Sequence, residues 1–139
     1  GRRWKRRSKP AQKNKMILGT GIDTIEVARV AAKLGKDNGF KELVFAPEEI
    51  SYCEKQAHAD QHFAARFAAK EAFFKALGTG WKNGTAFNEV VVTHNGEGQP
   101  QIHLAGETAV TLGAYRIGRI HVSLSHQPSI ATAIVILEQ

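Results

Sequence analysis

Residues 66–78 read Arg66-Phe67-Ala68-Ala69-Lys70-Glu71-Ala72-Phe73-Phe74-Lys75-Ala76-Leu77-Gly78. The run predicts a helix: Ala, Lys, Glu, Leu and Phe fill it without Pro or internal Gly, and Gly78 stands where a left-handed C-terminal cap belongs. At 100° per residue, Ala65, Ala68, Ala69, Ala72 and Ala76 form one face, small enough for another backbone to approach closely. The opposite face carries Phe63, Phe67, Phe74 and Leu77, with Arg66 and Lys70 inside the apolar stripe and Glu71 and Lys75 at its flank. A helix apolar on both faces has no ordinary solvated side. Its charges are therefore expected to converge on one another, on a metal or on a ligand.

Toward the N-terminus, residues 17–23 read as a strand with two glycines, Gly19 and Gly21, that allow close backbone approach. Residues 24–35 place apolar side chains at 27, 30, 31 and 34, an amphipathic helix stopped by Gly35. Asp23 at the junction is either that helix's N-cap or a functional carboxylate. A short irregular piece between Gly39 and Pro47 carries Phe40, Leu43, Val44 and Phe45. Pro47-Glu48-Glu49-Ile50 opens a second helix running to about Ala57, with Pro and two acids suited to the positive end of its dipole. His58 and His62, four apart and near Cys53, could share a metal. No second ligand pair follows, and such a pair more often means solvated side chains.

Beyond Gly78, residues 79–84 form a loop, and a Val-rich strand spans 86–94. A turn at Asn95-Gly96-Glu97-Gly98 leads into a strand near 101–104, completing a hairpin. A modest helix spans 106–112, and residues 119–125 alternate as a strand. After Pro128-Ser129, residues 130–137 form a last, mostly apolar strand, expected to be buried on both faces or against a partner. No internal repeat is present.

At 139 residues the chain fits one domain with a real core. The net charge of +6 misleads: residues 1–15 hold eight of the 19 Lys and Arg and no acid, so the remainder carries 11 basic against 13 acidic residues. That opening is expected to be a disordered basic arm, or a cloning or start-site scar ahead of Met16, with residues 16–139 as the domain. As a native arm it could bind nucleic acid or acidic lipid. The acidic balance of the body argues against a nucleic-acid surface there. One cysteine excludes an intramolecular disulfide, no apolar run reaches membrane-span length, and the opening has no signal-like apolar core. The expectation is a soluble cytoplasmic protein.

Asp23 and Glu71 come from separate elements beside glycines and cations, an arrangement that suits Mg²⁺, which takes one or two protein carboxylates and fills its octahedron with water and phosphate oxygens. A diphosphate is implied. Arg66, Lys70, Lys75 and His126 supply charge suited to phosphates. Taken singly these residues have ordinary readings: Glu71 and Lys75 as a surface i,i+4 pair, His126 as a satisfied strand-end histidine.

Together, Gly21-Ile22-Asp23 with Arg29 six residues on, Arg66-Phe67-Ala68-Ala69-Lys70-Glu71-Ala72 with Lys75-Ala76-Leu77-Gly78-Thr79-Gly80, Gly98-Gln99-Pro100, and Val122-Ser123-Leu124-Ser125-His126 resemble the holo-acyl-carrier-protein synthases. These are the short, single-copy members of the 4′-phosphopantetheinyl transferase superfamily. The match in order and spacing runs from Met16 to Gln139. The resemblance implies an α+β fold with a long central helix packed on an antiparallel sheet, and a homotrimer with sites between protomers. It implies transfer of 4′-phosphopantetheine from coenzyme A to a serine of an apo acyl carrier protein, of fatty-acid or another pathway, releasing adenosine 3′,5′-bisphosphate. Asp23 and Glu71 would hold Mg²⁺ on the pyrophosphate. Arg66, Lys75, Ser125 and His126 would bind phosphates and the adenosine part, with Gly78 and Gly98-Gln99-Pro100 lining the adenine pocket. Arg29 would dock an acidic helix of the carrier. The general base is unassigned, with Glu71 acting through a metal-bound water as the candidate. Ala46 and Phe74 depart from the family pattern, which often has a capping Thr at the first position and a small polar residue beside the nucleotide at the second. The competing reading is a non-catalytic module that binds the carrier or, through its basic arm, nucleic acid.

Overall fold

The computed structural model describes residues 16–139. The basic arm expected over residues 1–15 lies outside them, and with it the nucleic-acid reading. Within the described residues the chain runs β1 (Ile17–Glu26), α1 (Val27–Leu34), α2 (Phe40–Val44), α3 (Pro47–Glu54), α4 (Ala59–Leu77), β2 (Val90–His94), β3 (Pro100–Leu104), α5 (Gly106–Thr111), β4 (Arg119–His126) and β5 (Ile130–Glu138). The architecture is α+β, with a three-stranded antiparallel sheet in the order β1-β5-β4 and a separate antiparallel hairpin β2-β3. No described helix is long and apolar enough to cross a membrane.

The 19-residue α4 is the axis of the core, and Gly78 caps it in the left-handed conformation with φ 80°. Its alanine face does what the sequence predicts. A Cβ at Gly21 would overlap the Ala72 carbonyl oxygen, and one at Gly19 that of Ala76. Backbone therefore lies against backbone where β1 crosses α4. The C-terminal half of α4 packs on Val135 and Leu137 of β5 and Val90 and Val92 of β2. Its N-terminal half packs on Val27, Val30, Val44 and Phe45. Phe63 meets Phe45 at 4.9 Å and Phe74 meets Phe87 at 5.0 Å between ring centroids. Phe74 is buried in this aromatic core. The lack of a solvated side on α4 is thus met within one chain and does not by itself call for a partner.

Several boundaries differ from the sequence reading. The strand continues through residues 24–26, pairing Thr24 with Thr132 and Glu26 with Ile130, and α1 starts only at Val27. Period-two alternation persists here because the long β5 offers a partner, and tertiary pairing overrides the local helical pattern. Asp23 is accordingly a strand residue opposite Ala133, not a helix cap. The piece after Gly39 is the short helix α2, α3 stops at Glu54, and a 3₁₀ turn over Phe87–Glu89 precedes β2. On β5 burial alternates, leaving Ile134 exposed on the outer face of the sheet.

The charges buried on α4 have a partner that the helix sequence does not show. Lys70 Nζ donates to Glu49 Oε1 of α3 at 2.7 Å and to the carbonyls of Phe87 and Val90 at 2.9 and 2.6 Å. Burial pulls this ammonium below the usual lysine range, while the Glu49 carboxylate opposes the shift. Glu49 also accepts from the backbone N–H of Ala46 at 3.0 Å and of Val92 at 3.1 Å. Ala46 has no side-chain oxygen, so only the Glu49 half of a capping box forms at the start of α3. Glu49→Ala would leave Lys70 and Arg66 buried without their carboxylate and is expected to cost about 3–5 kcal/mol by urea denaturation. The paired Glu49→Leu, Lys70→Met variant should be less destabilised than that single variant, and the reverse order would show that the ion pair is not what holds α3 to α4.

Candidate active site

The sequence-predicted residues fall into two groups on opposite sides of α4. The first lies where β1 leaves the sheet. Lys75 Nζ donates to Asp23 Oδ1 at 2.9 Å and to the Ile22 carbonyl at 3.0 Å. Lys75 therefore ties the helix to the strand instead of pairing with Glu71. The Asp23 side chain is 17% exposed and that of Lys75 55%. Glu71 is half-buried beside them, and its carboxyl is raised above the usual range, first by burial and then by the Asp23 carboxylate, with Lys75 and Lys33 acting in the opposite direction. Asp23, close enough to disfavour the charge on Glu71, makes with it a donor set suited to a hard divalent cation. Among the described residues no cluster of three or more His, Cys, Asp or Glu is placed to hold a metal. Two carboxylates with room for water and phosphate fit Mg²⁺ and fit poorly the metals that need a closed set of protein ligands. Gly78 is exposed one turn beyond Lys75, with nothing within 4 Å of where a Cβ would stand.

The second group is a cleft of about 230 Å³ lined by His62, Ala65, Arg66, His94, Gly98, Pro100, Ser123, Leu124 and His126. Arg66 is 2% exposed. Its guanidinium lies over the Tyr52 ring at 4.4 Å, and its Nη2 donates to His94 Nδ1 at 3.3 Å. Its buried Nε has no hydrogen-bond partner among the described residues, Glu49 Oε2 standing off at 4.0 Å. His126 Nδ1 lies 2.9 Å from Gln61 Oε1. The Asn95 side chain accepts from the N–H groups of Glu97 and Gln99, holding the hairpin turn in which Gly98 adopts φ 82°. Ser125 is not among the lining residues. It belongs to the other face of the sheet, with Thr132 and Thr24 across the strands. Lys75 lies nine residues after Arg66, so the two stand about 13 Å apart along the axis and half a turn apart around it. Gly78, about 18 Å along the axis from Arg66, does not share the Gly98-Gln99-Pro100 pocket within one chain.

The helix reading missed Glu49, Tyr52, His94 and Lys33. Glu49 alone had a local signal, an acid at the third helical position behind Pro47. His62, set aside as solvated, is half-buried in the cleft, whereas His58 is exposed. Cys53 is fully buried and burial pushes its thiol up to about 11, so it is neither a ready ligand nor a nucleophile. Arg29 is exposed on α1 and, among the described residues, forms no ion pair with Glu26.

The sequence profile of the 4′-phosphopantetheinyl transferase superfamily matches residues 19–133, which include both groups. The chain belongs to this superfamily. It is 44% identical over 124 residues to the holo-acyl-carrier-protein synthase of Syntrophus aciditrophicus, covering 88% of this chain and 97% of that one. The fold is similar to the crystal structure of the holo-acyl-carrier-protein synthase of Neisseria meningitidis, with a TM-score of 0.81, 29% identity and coverage of 89% of this chain and 100% of that one. It is also similar to the synthase of Bacillus anthracis in complex with CoA (3′,5′-ADP), with a TM-score of 0.73, 32% identity and coverage of 89% and 98%. The α+β architecture and antiparallel sheets of the transferase are therefore those that the four sequence motifs imply.

Proposed function

We infer that the chain is a phosphopantetheinyl transferase that moves 4′-phosphopantetheine from coenzyme A to a serine hydroxyl of an apo acyl carrier protein. The observation that carries this reading is the Asp23–Glu71–Lys75 group in a chain so similar to named holo-acyl-carrier-protein synthases. In the reaction the serine oxygen forms a bond to the phosphorus next to pantetheine. The bond from that phosphorus to the bridging oxygen breaks, and the oxygen leaves on adenosine 3′,5′-bisphosphate. Glu71 is the general base for the serine proton, acting through a water. Asp23 and Glu71 would hold Mg²⁺, which supplies charge neutralisation and orientation of the diphosphate. Lys75 neutralises a further phosphate oxygen, exchanging its bond to Asp23 for one to substrate.

Arg66, His126 and the Gly98–Pro100 backbone bind the distal part of the coenzyme in the cleft. One chain presents the two groups on opposite sides of α4, so the working site joins the carboxylates of one protomer to the cleft of another. A homotrimer supplies such sites by rotation. The outer face of the three-stranded sheet supports the assembly: Ile22, 60% exposed, and Ile134, 41% exposed, stand side by side on it. Asp23→Asn and Arg66→Ala should each be inactive alone, while co-expressing the two should restore roughly a quarter of the sites under random assembly. Co-assembled but inactive mixtures would place the whole site in one chain.

Arg29, exposed on α1 close behind Asp23, is the docking point for an acidic carrier helix. Arg29→Glu is expected to raise the carrier's KM several-fold at low salt, to lose most of that effect as salt screens the attraction, and to leave the KM for coenzyme A unchanged. An unchanged carrier KM would move the docking surface elsewhere. The activity itself is tested by intact mass of an apo carrier incubated with coenzyme A and Mg²⁺, with and without excess chelator. One phosphopantetheine should be added, and only without chelator. Carriers left unmodified under conditions where a known synthase modifies them would overturn the reading, and full turnover in chelator would overturn the metal.

A further inference from the structure

The cleft around Arg66 contains more basic groups than the four motifs account for. Four elements contribute to it: Tyr52 from α3, His62 and Arg66 one turn apart on α4, His94 from the end of β2, and His126 from the end of β4. His94 stacks on Tyr52 with ring centroids at 5.1 Å. His62 meets Tyr52 edge-on at 6.0 Å and His126 at 5.0 Å. Arg66 Nη2 can only donate, so the 3.3 Å contact to His94 Nδ1 requires that nitrogen to accept. His94 is therefore the neutral imidazole with its proton on Nε2. Gln61 Oε1 can only accept, so Nδ1 of His126 is the donor there and Nε2 is left for the cleft.

Burial lowers the affinity of His62 for a proton, and His126, Arg66, His94 and His58 lower it further. Burial and Arg66 do the same to His94. One carboxylate, Glu49, approaches Arg66, and it is already engaged by Lys70 and the N–H groups of Ala46 and Val92. An empty cleft thus favours neutral histidines around a permanent cation. The orphaned, buried Nε of Arg66 shows that the protein does not itself complete the guanidinium's hydrogen bonding.

That Nε faces Glu49 and not the cleft, but Arg66 lines the cleft together with His62, His94 and His126, a basic set suited to an anion, and the proposed function offers one. With the diphosphate of coenzyme A on the Asp23–Glu71–Lys75 group, the coenzyme's remaining anionic group is the phosphomonoester on its ribose. That group carries close to two charges at neutral pH and three acceptor oxygens. We propose that His62 and His94 are phosphate-binding residues that take up protons when this phosphomonoester enters the cleft beside Arg66, becoming donors only in the complex. With the dianion in place, the charge that disfavoured imidazolium is offset, and His94 can turn Nδ1–H toward the phosphate as Arg66 does. Without the phosphomonoester the cleft is spared the repulsion of two further cations, and a coenzyme lacking that group cannot recruit them. Selectivity for the phosphorylated ribose follows without a dedicated lysine.

The inference rests on the coenzyme reading, and the test separates the two. Coenzyme A and dephospho-coenzyme A, which differ only in the phosphomonoester, are bound to the full chain by titration calorimetry at pH 7.5. Mg²⁺ is fixed, and two buffers of different protonation enthalpy are compared. Coenzyme A should bind with net proton uptake and dephospho-coenzyme A without it, and the affinity for coenzyme A should rise as pH falls from 8, by roughly tenfold per pH unit for each proton taken up. His62→Gln and His94→Gln should each reduce the uptake and flatten this pH dependence. The comparison of the two ligands on the wild-type chain needs no variant, so a variant that folds poorly does not blunt it. Equal proton uptake for the two ligands, or full uptake retained in both variants, overturns the role of the histidines while leaving the coenzyme site intact. Absence of binding by either ligand overturns the coenzyme reading and this inference with it.

Discussion

Glu71→Gln is expected to lower transfer at saturating coenzyme and carrier by at least about a hundredfold while raising the melting temperature at neutral pH. The loss has two sources. The amide cannot accept the serine proton, and it replaces one of the two carboxylates that suit a divalent cation. The gain in stability has the opposite origin. Burial and the neighbouring Asp23 carboxylate raise the folded-state pKa of Glu71, so the folded chain holds this proton more tightly than the unfolded chain. Stability contributed by the protonated form is present below the unfolded pKa and is lost as pH rises through the folded pKa. At neutral pH the ionised carboxylate therefore destabilises the fold, and a neutral isostere removes that strain. Thermal melts of both proteins at pH 4 and pH 7.5 check the sign: the advantage of the variant should be larger at the higher pH. A variant that loses activity and also melts lower at pH 7.5 would indicate a structural role for the carboxylate.

The second large effect concerns the fold. Gly21→Ala is expected to destabilise the chain by about 3 kcal/mol or more, because the added methyl meets a helix carbonyl and not the movable end of a side chain. β1 would have to lift from α4, and Asp23, two residues on and facing the same side, would move with it. Transfer should fall along with stability. Gly96→Ala in the hairpin turn, where nothing lies within 4 Å of the new Cβ, is the control and should be close to neutral. Denaturant midpoints for the two variants decide the matter, and similar midpoints would show that β1 and α4 tolerate separation.

How much of this was legible in the chain can be read from particular residues. The C-terminal part of α4, its left-handed cap at Gly78 and an alanine face open to another backbone follow from helical periodicity and residue size, which are local properties, whereas the start of α4 at Ala59 and the choice of β1 as the backbone on that face were decided by packing. The motif spacings carried the family, and with it the α+β class. Asp23 was picked out as a carboxylate, yet its position in a strand was not settled, because residues 24–26 fit both periods and the presence of β5 chose between them. Glu49 drew no attention as the partner of Lys70, since a pair 21 residues apart has no sequence signal until α3 folds over α4. The same holds for His62 and His94, which are ordinary histidines in the sequence and become a cluster only when α4, β2 and β4 bring them around Arg66. Local geometry is written in spacing along the chain. The electrostatics of a site depends on which charges lie within a few ångströms and how much water remains between them, and tertiary packing alone decides both.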